Sequence, residues 1–588
     1  MKNKGRAIAA LALLAVAGLP AAATPEWIAR SNAITDEVLD QQARFFPEFP
    51  SSLGKDKYDT AVADLGPKIY ERAAEQQEKR LVRLRDLLKD EKDVKVRQDI
   101  EILVDSTRRQ LTTLRLRHEQ LLTLYAPADI VNYGLTTLLD PRNKRERQAH
   151  ALARLKRYAG QEAGFQPLAA QARARMEEDF ARPGLIGPYV EEVKRSLDNT
   201  DFYLKGIAEL FRKAGIQGWE SDLETLGKQL HEHNDWVRQA LMPRARKEVR
   251  LPPAIYADKL KQVGVDIGPE ELIERATYDF QEIRDRMQVL GARIAQAHNW
   301  PSKDYRDVIR TLKKQEIEGE AMLAMYKNRL AEIERIIERE RLVTLPRRPA
   351  NIRVATEAEA ANTPAPNMRA PRLIGNTGEF GEFLIPLRNP HAKSGAKMDD
   401  YVYDAAAWTL TAHEARPGHE LQWASMVEGG VSLARAVYAF NSANAEGWAL
   451  YAEALVLPYE PPEGQLITLQ FRLLRMARAF LDPMVNLGRI TPAEAKRVLM
   501  EEVAMSEPFA QQEADRYAFQ DPGQATAYYY GYLQLQSLRT QAEIALGSKF
   551  DLLAFDDFVI AQGLLPPRLL KGAVMDEFVP ARASSRGG

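Results

Sequence analysis

A mainly α-helical fold with one small β element is predicted for this chain. Leu and Val recur at three-to-four-residue spacing between residues 59 and 124, among dense charged residues, and this periodicity is typical of amphipathic helices. Between residues 345 and 398 the helical pattern gives way to Pro, Gly, Asn and Ala, and it returns at Asp399 and continues almost to the end. We therefore expect a large multi-helix body that is interrupted once.

Further helices are predicted where the same periodicity is bounded by proline or glycine. They cover roughly residues 144–159, 160–180, 186–213, 219–241, 269–297 and 314–341. Pro492 and Pro522 stand where two later helices are expected to begin. Within 345–398, residues 351–356 and 381–387 have the composition of strands. The second of these strands would offer an edge to which an extended peptide could pair.

The first 23 residues have the pattern of a secretory signal peptide. Basic residues precede an apolar run from Ala7 to Leu19, and a small-residue cleavage site ends at Ala23. Residues 24–588 are expected to form a single large domain. Its parts are a helical portion at about 24–344, a β-containing segment at 345–398 and a helical portion at 399–588.

Composition excludes several classes of protein. The chain is 45% hydrophobic and 28% charged, its formal net charge is −1, and it has no cysteine. Disulfides, thiol catalysis, cysteine-ligated metals and a lipid anchor on cysteine are therefore excluded. Basic and acidic residues are mixed, which argues against a nucleic-acid partner, and no later stretch is apolar enough to span a membrane. We expect an exported protein, with the periplasm as its compartment.

The segment from His413 to Gln422 is the most informative motif. It reads like the zinc-protease pattern H-E-x-x-H with two extra residues, because His413 and His419 are separated by five residues. On a continuous helix the second histidine would lie roughly 240° around the axis, where it could not share a metal. Pro417 and Gly418 supply a break, since proline removes a helical hydrogen bond to His413 and glycine tolerates unusual backbone angles. A broken helix would return His419 to the side of His413.

A third ligand is expected nearby, because catalytic zinc commonly has three protein ligands and one open position. Glu446 is the candidate, and Glu453 lies seven residues later on the same helix face. Glu453 would hold a histidine nitrogen from behind. The alternative for both residues is a pair of solvated or ion-paired carboxylates, which spacing alone leaves open.

These motifs resemble those of the domain-of-unknown-function 885 family, a predominantly helical group related to gluzincin-type zinc metallopeptidases. The resemblance covers most of the mature chain. It is carried by residues 413–422 and 446–453, by the opening residues 45–54, and by closing residues 513–517, 522–525, 528–531 and 539. The resemblance implies a zinc site with His413, His419 and Glu446 as ligands.

The chain departs from the family pattern at three places. Glu420 stands where many members carry a second histidine, and residues 482–486 and 555–557 lack histidines that are often found there. The proposed ligands are intact. The departures concern the surroundings of the site and the choice of substrate. Glu420 itself is expected to be a surface or supporting carboxylate, or a ligand in place of Glu446.

The predicted activity is hydrolysis of peptide bonds in short peptides by a Zn²⁺-activated water, with Glu414 as general base. Tyr528 and Arg539 lie on one predicted helix within about 20° of the same face. Tyr528 would donate to the oxyanion, and Arg539 would bind a substrate carboxylate. Two alternatives remain: an inactive helical protein that binds metal or peptide, and a zinc amidohydrolase acting on a non-peptide or cell-wall amide.

Overall fold

The computed structural model describes residues 25–356, 359–360, 365–376, 378–387 and 398–584, and the predicted signal peptide at 1–23 lies outside them. A mainly α-helical fold with a small β element is confirmed. The helices before the sheet are α1 (Glu26–Gln42), α2 (Glu48–Ser52), α3 (Ile69–Asp90), α4 (Val94–Gln120), α5 (Pro127–Leu138), α6 (Arg145–Tyr158), α7 (Leu168–Phe180), α8 (Val190–Ala214), α9 (Glu220–Trp236), α10 (Pro253–Gln262), α11 (Pro269–Ala297), α12 (Tyr305–Lys313) and α13 (Glu320–Glu340).

The helices after the sheet build most of the candidate site. They are α14 (Asp404–Leu410), α15 (His419–Gly429), α16 (Ser442–Val456), α17 (Pro462–Asn486), α18 (Pro492–Glu501), α19 (Glu507–Asp515), α20 (Ala527–Leu546), α21 (Leu552–Ala561), α22 (Pro567–Ala573) and α23 (Val579–Ser584). Among the described residues, no helix combines the length and the apolar run that crossing a bilayer requires.

Local sequence explains where several helices begin. The helical pattern at 59–124 resolves into α3 and α4 because Asp93 caps the second helix, its carboxylate accepting hydrogen bonds from the amides of Lys95 and Val96 at 2.9 and 3.2 Å. The helix expected at Pro492 begins there. The helix expected at Pro522 begins later, at Ala527, because Gly523 has a φ of +91° and a short 3₁₀ turn follows it.

The three strands form a sheet in the order β1-β3-β2. Strand β1 (Asn351–Val354) runs parallel to β3 (Glu382–Ile385), and β2 (Asn367–Arg369) pairs antiparallel with β3. Two of these strands were predicted, whereas β2 has only three residues and too short a pattern to detect. The expectation that residues 381–387 offer a free edge is wrong, because β3 is the central strand and β2 is the edge strand.

The apolar core joins distant parts of the chain. One core cluster contains Val38 of α1 and Ile100 of α4 together with Trp448 of α16 and Phe555 of α21. N-terminal and C-terminal helices therefore share buried surface, which is the main stabilising contribution to such packing. Helices α5 to α9 add a neighbouring cluster that includes Leu155.

Helices α16 and α20 pack at unusually short range. A Cβ atom on Gly531 would lie 1.8 Å from the carbonyl oxygen of Ala443, and one on Gly447 would lie 2.5 Å from the backbone of Gly531. Both glycines are required by this close approach. The crossing fixes Glu446, which precedes Gly447, relative to Tyr528 near the start of α20.

Candidate metal site and its cavity

A break in the helix brings the two histidines of the motif together. After α14 the chain makes a wider π-helical turn over Thr411–Ala415, leaves the helical conformation at Arg416 and restarts as α15 at His419. The Arg416–Pro417 peptide bond is cis. The ring centroids of His413 and His419 lie 4.8 Å apart with their planes nearly perpendicular. The predicted break is confirmed.

Backbone contacts hold this break in place. Gly418 passes so close to the preceding turn that a Cβ atom on it would lie 1.9 Å from the carbonyl oxygen of His413. The indole nitrogen of Trp448 donates to the carbonyl oxygen of Pro417 at 2.9 Å. Arg416 is buried and donates to Glu420 at 2.7 Å. Glu420 is thus a buried supporting carboxylate, and it is not among the clustered ligand atoms.

His413, His419 and Glu446 form one cluster of potential ligands, with donor atoms that all lie within 4.8 Å of one another. The Nε2 atoms of both histidines lie 3.3 Å from Oε2 of Glu446. Ligands about 2.1 Å from one tetrahedral zinc ion would be about 3.4 Å apart. Two imidazoles and a carboxylate are also a donor set that zinc uses. The residues therefore fit a zinc ion, and they leave a fourth position for water or substrate.

Glu453 lies behind His413, where the sequence placed it. Its carboxylate is 2.7 Å from Nδ1 of His413, accepts from the Thr409 hydroxyl at 2.8 Å and lies 3.5 Å from Arg475. Burial raises the pKa of Glu453, but the charge of Arg475 and the contact with His413 outweigh burial and lower it. An ionised Glu453 accepts a hydrogen bond from Nδ1–H of His413 and leaves Nε2 directed at Glu446.

The charges of the clustered residues stabilise one another. Burial alone would lower the pKa of His413, but its contacts with Glu446 and Glu453 and the charge of Glu414 raise it to about 9. Burial would raise the pKa of Glu446, and the two histidines instead hold that pKa well below its usual range. A divalent cation would displace the proton that His413 otherwise retains.

Glu414 borders the same space without belonging to the ligand set. It lines the cavity, and its Oε1 is 4.0 Å from Nε2 of His413. Burial raises the pKa of Glu414, while the charges of His413 and His419 oppose that shift. The backbone of Met368, in the edge strand β2, also opposes the rise in the pKa of Glu414. A carboxyl group with a raised pKa beside a metal site can take and return a proton near neutral pH.

The cluster opens into a cavity of about 320 Å³. We call the side formed by the ligand triad of His413, His419 and Glu446, together with Glu414, the triad wall. Residues 365–368, which include the start of β2, form another part of the lining. Tyr528 also lines the cavity, and its ring stacks on that of His413 with centroids 6.2 Å apart. The structure thus brings Tyr528 to the predicted site.

A second side of the cavity is lined by charged residues that were not predicted to be functional. Arg475 and Arg478 come from α17, Glu513 lies near the end of α19, and Arg516 begins the π-helical turn that follows it. We call these four residues the arginine wall. Glu513 accepts two hydrogen bonds from Arg478, both at 2.7 Å, and lies 3.2 Å from Arg516. Glu513 and Arg516 belong to a motif that carries the family resemblance, and the three-residue spacing of Arg475 and Arg478 was the remaining signal in the sequence.

Arg539 is not brought to the cavity. Its guanidinium donates to Glu543 at 2.8 Å and to the hydroxyl of Tyr451 at 3.3 Å, and Tyr451 in turn donates to the buried Asp556. The helical phase that relates it to Tyr528 is correct, but eleven residues of helix advance about 16 Å along the axis. The arrangement gives no support to the predicted role of Arg539 in binding substrate.

Comparisons with solved structures support the fold. A "putative lipoprotein of unknown function" from Shewanella oneidensis has a similar structure, with a TM-score of 0.75 and 17% identity over 94% of this chain and 100% of that chain. A second "putative lipoprotein", from Colwellia psychrerythraea, has a TM-score of 0.73 and 20% identity over 94% of this chain and 99% of that one. No curated protein matches the chain.

The family match extends over nearly the whole chain. The family described as "Bacterial protein of unknown function (DUF885)" matches residues 47–574. The matched range includes the sheet, both histidines, Glu446, Tyr528 and the arginine wall. The chain therefore belongs to the DUF885 family of bacterial proteins.

Proposed function

We propose that this protein is a zinc-dependent hydrolase that cleaves peptide bonds in short peptides, related to the gluzincin metallopeptidases. The observation that carries the proposal is the cluster of His413, His419 and Glu446 with a buried carboxyl group, Glu414, beside it in one cavity. A protein that only binds metal or peptide has no use for a general base at that position. The cluster therefore favours hydrolysis over simple binding.

Each residue of the site has its own role in the proposed reaction. His413, His419 and Glu446 would hold zinc, and Glu453 fixes the orientation of His413 through Nδ1. A bound zinc ion supplies Lewis acidity, which lowers the pKa of water and polarises a carbonyl group. Glu414 accepts the proton of the attacking water and returns it to the leaving amine.

Tyr528 is suited to stabilise the developing oxyanion. Its hydroxyl is 3.4 Å from Arg516, and the guanidinium carbons of Arg478 and Arg516 lie 4.6 and 5.5 Å from its ring centroid. Burial raises the pKa of Tyr528, and the negative charge of Glu446 raises it further. The hydroxyl thus keeps its proton and can donate it in a hydrogen bond.

The edge strand β2 provides a place for the substrate backbone. Residues 365–368 line the cavity, and within the described part of the chain β3 is the one strand that pairs with β2. An extended peptide would lie beside β2 with its scissile carbonyl group near the triad wall. Because the triad is nearly buried, with His413 only 3% exposed and His419 9% exposed, short flexible peptides would enter more readily than folded proteins.

We further propose that the protein acts in the periplasm. The support is the basic, apolar and small-residue pattern of residues 1–23. Cell fractionation of the producing bacterium tests this directly. Recovery of the protein with periplasmic markers, with Thr24 as the new N-terminus, is the expected result. Recovery of the uncleaved protein with cytoplasmic markers would contradict it.

Metal analysis of the purified protein tests the ligand set. After zinc loading and removal of free metal, we expect about one zinc per chain in the wild type and strong loss in His413→Ala and Glu446→Gln, because each removes one of three ligands. His298→Ala, a change at a histidine outside the cluster, is the control and should retain zinc. Full occupancy in either ligand variant would refute the assignment.

Digestion of a mixture of short synthetic peptides tests the reaction. The zinc-loaded wild type should release fragments that mass spectrometry detects, and the metal-free protein should not. If the zinc-loaded protein cleaves no peptide in a broad mixture, the hydrolase proposal fails even though the metal assignment stands.

A further inference from the structure

The arginine wall carries more positive charge than its own residues neutralise. Arg475, Arg478 and Arg516 all line the cavity, and Glu513 is the carboxylate within the wall. Glu513 is shared by Arg478 and Arg516. Arg475 lies 3.5 Å from Glu453, but Glu453 is already engaged at 2.7 Å by His413. Three guanidinium groups therefore depend largely on two carboxylates, one of which also serves the metal site.

The burial of these arginines makes this imbalance costly. Arg475 and Arg478 are 5% and 6% exposed. Among the residues that the structure describes, the Nε of Arg475 has no hydrogen-bond partner. Buried charges are normally paired, because an unpaired charge loses its hydration without compensation. An anion that entered the cavity would offset the excess positive charge of the wall, and guanidinium groups bind carboxylates with good geometry.

Contacts of both walls with Tyr528 limit the distance between the arginine wall and the triad wall. The ring of Tyr528 is 6.2 Å from that of His413, and the guanidinium carbon of Arg478 is 4.6 Å from the Tyr528 ring centroid. One residue of extended chain spans about 3.5 Å. These two separations together are covered by two to three residues of extended peptide.

We propose that the arginine wall binds a carboxylate of the substrate, two to three residues from the bond that is cleaved. This inference rests on the proposed peptidase function and deepens it by naming a substrate class. A C-terminal carboxylate and an acidic side chain share the required chemistry. If the C-terminal carboxylate is bound, the enzyme releases dipeptides or tripeptides from the C-terminal end.

Four peptides that differ in the number and position of their carboxylates test the proposal on the unmodified enzyme. They share a sequence that the zinc-loaded wild type cleaves, and they end in a free acid or an amide, each with Asn or Asp near the C-terminus. We expect a preference of about 10-fold or more in kcat/KM for a peptide with a carboxylate, since hydrogen bonds to charged groups are the stronger ones. A preference for free acids identifies the C-terminus, and a preference for Asp identifies a side chain. Equal rates for all four peptides overturn the proposal.

Variants of the wall provide a second test. Arg475→Lys and Arg516→Lys keep the charge but lose the planar fork, and they should bring the ratio of rates for charged and uncharged peptides close to one. Arg472→Lys is the matched control, because Arg472 is a buried arginine of the same helix that packs over Tyr532 outside the cavity lining. It should keep the wild-type ratio. An unchanged ratio in both wall variants contradicts the assignment.

A binding measurement tests the carboxylate site independently of the proposed hydrolysis. Calorimetry with zinc-loaded Glu414→Gln should show tighter binding of the carboxylate-bearing peptide than of its uncharged counterpart, by a factor similar to that in kcat/KM. This measurement needs no turnover. If the wild type cleaves nothing but the binding preference is present, the hydrolase proposal fails and the carboxylate site stands. Equal binding of the charged and uncharged peptides refutes the site in either case.

Discussion

The triad wall and the arginine wall line the same cavity but are built in different ways. The triad wall requires an irregular backbone, because a helix stops at Arg416 and restarts at His419. Arg475 and Arg478 of the arginine wall project from consecutive turns of the regular helix α17. The triad wall depends on backbone geometry, because a methyl group on Gly418 would collide with the carbonyl oxygen of His413. The arginine wall depends on the charges of its side chains. Changes of shape should therefore damage the first wall, and changes of charge should alter the second.

Loss of the general base should have the largest effect on the triad wall. Glu414→Gln preserves shape but cannot accept a proton, so we expect kcat to fall by about 10³-fold, within the usual range for general bases. Zinc content should remain at one per chain. Initial rates and metal analysis check both, with Glu428→Gln on α15 as a control. Turnover at the wild-type rate in Glu414→Gln would exclude Glu414 as the base.

A methyl group at the helix break should be the next most damaging change. Gly418→Ala places a Cβ atom 1.9 Å from the carbonyl oxygen of His413, so we expect the free energy of unfolding to fall by about 3 kcal/mol or more. Zinc occupancy should fall with it. Gly429→Ala, at the other end of α15, has no atom within 4 Å of the new Cβ. Urea denaturation should show little loss for it, and equal losses in both variants would contradict the steric explanation.

Removal of the hydroxyl between the two walls should reduce the rate more moderately. Tyr528→Phe keeps the ring against His413 and the arginines but removes the donor, and we expect kcat to fall by about 10² with little change in KM. Tyr532→Phe, one turn later on α20, is the control. Steady-state kinetics on one peptide distinguishes the two outcomes. A rise in KM with normal kcat would instead indicate a role in substrate binding.

Asp482, a buried residue one turn after Arg478 on α17, should make the free energy of unfolding depend on pH. Asp482 lies on α17 and accepts hydrogen bonds from the amide of Gly523 and from Tyr256. Burial raises its pKa to about 7, although the bond from Gly523 opposes the shift. The folded protein thus retains a proton that the unfolded chain releases above about pH 4. Stability should fall by about 1.4 kcal/mol for each pH unit between these values.

Asp482→Asn removes this titration and should flatten that part of the pH dependence. Urea midpoints at pH 5, 6 and 7 measure it, and the difference between the variant and the wild type should grow with pH in favour of the variant. Asp285→Asn, at an exposed carboxylate of α11, should run parallel to the wild type. A constant difference for Asp482→Asn would show that its carboxyl group keeps an ordinary pKa when folded.

Helical periodicity was a sound guide to the fold because it reports which face of each helix is buried. The helices near 144–159 and 269–297 begin and end within about two residues of their predicted limits. The helix at Pro522 was placed too early because the left-handed Gly523 delays the first turn. Strand β2 escaped detection because three residues carry too little pattern, and its pairing with β3 depends on a partner distant in sequence.

The candidate site was predictable where its geometry is local. Pro417 and Gly418 indicate the helix break. The seven-residue separation of Glu446 and Glu453 puts both on one side of α16. Arg539 shows the limit of such reasoning. Helical phase reports direction around an axis, but distance along the axis decides which residues meet, and Arg539 meets Glu543 and Tyr451.

The sequence by itself determined the helical class of this protein and the helix break between His413 and His419, because both depend on short-range backbone preferences. Tertiary structure alone decided that Glu446 meets the two histidines and that three arginines border the same cavity. Those contacts arise from helices separated by tens of residues, which pack according to shape and burial. The close crossing of α16 and α20 at Gly447 and Gly531 is the clearest example. The sequence around either glycine does not indicate which helix it approaches.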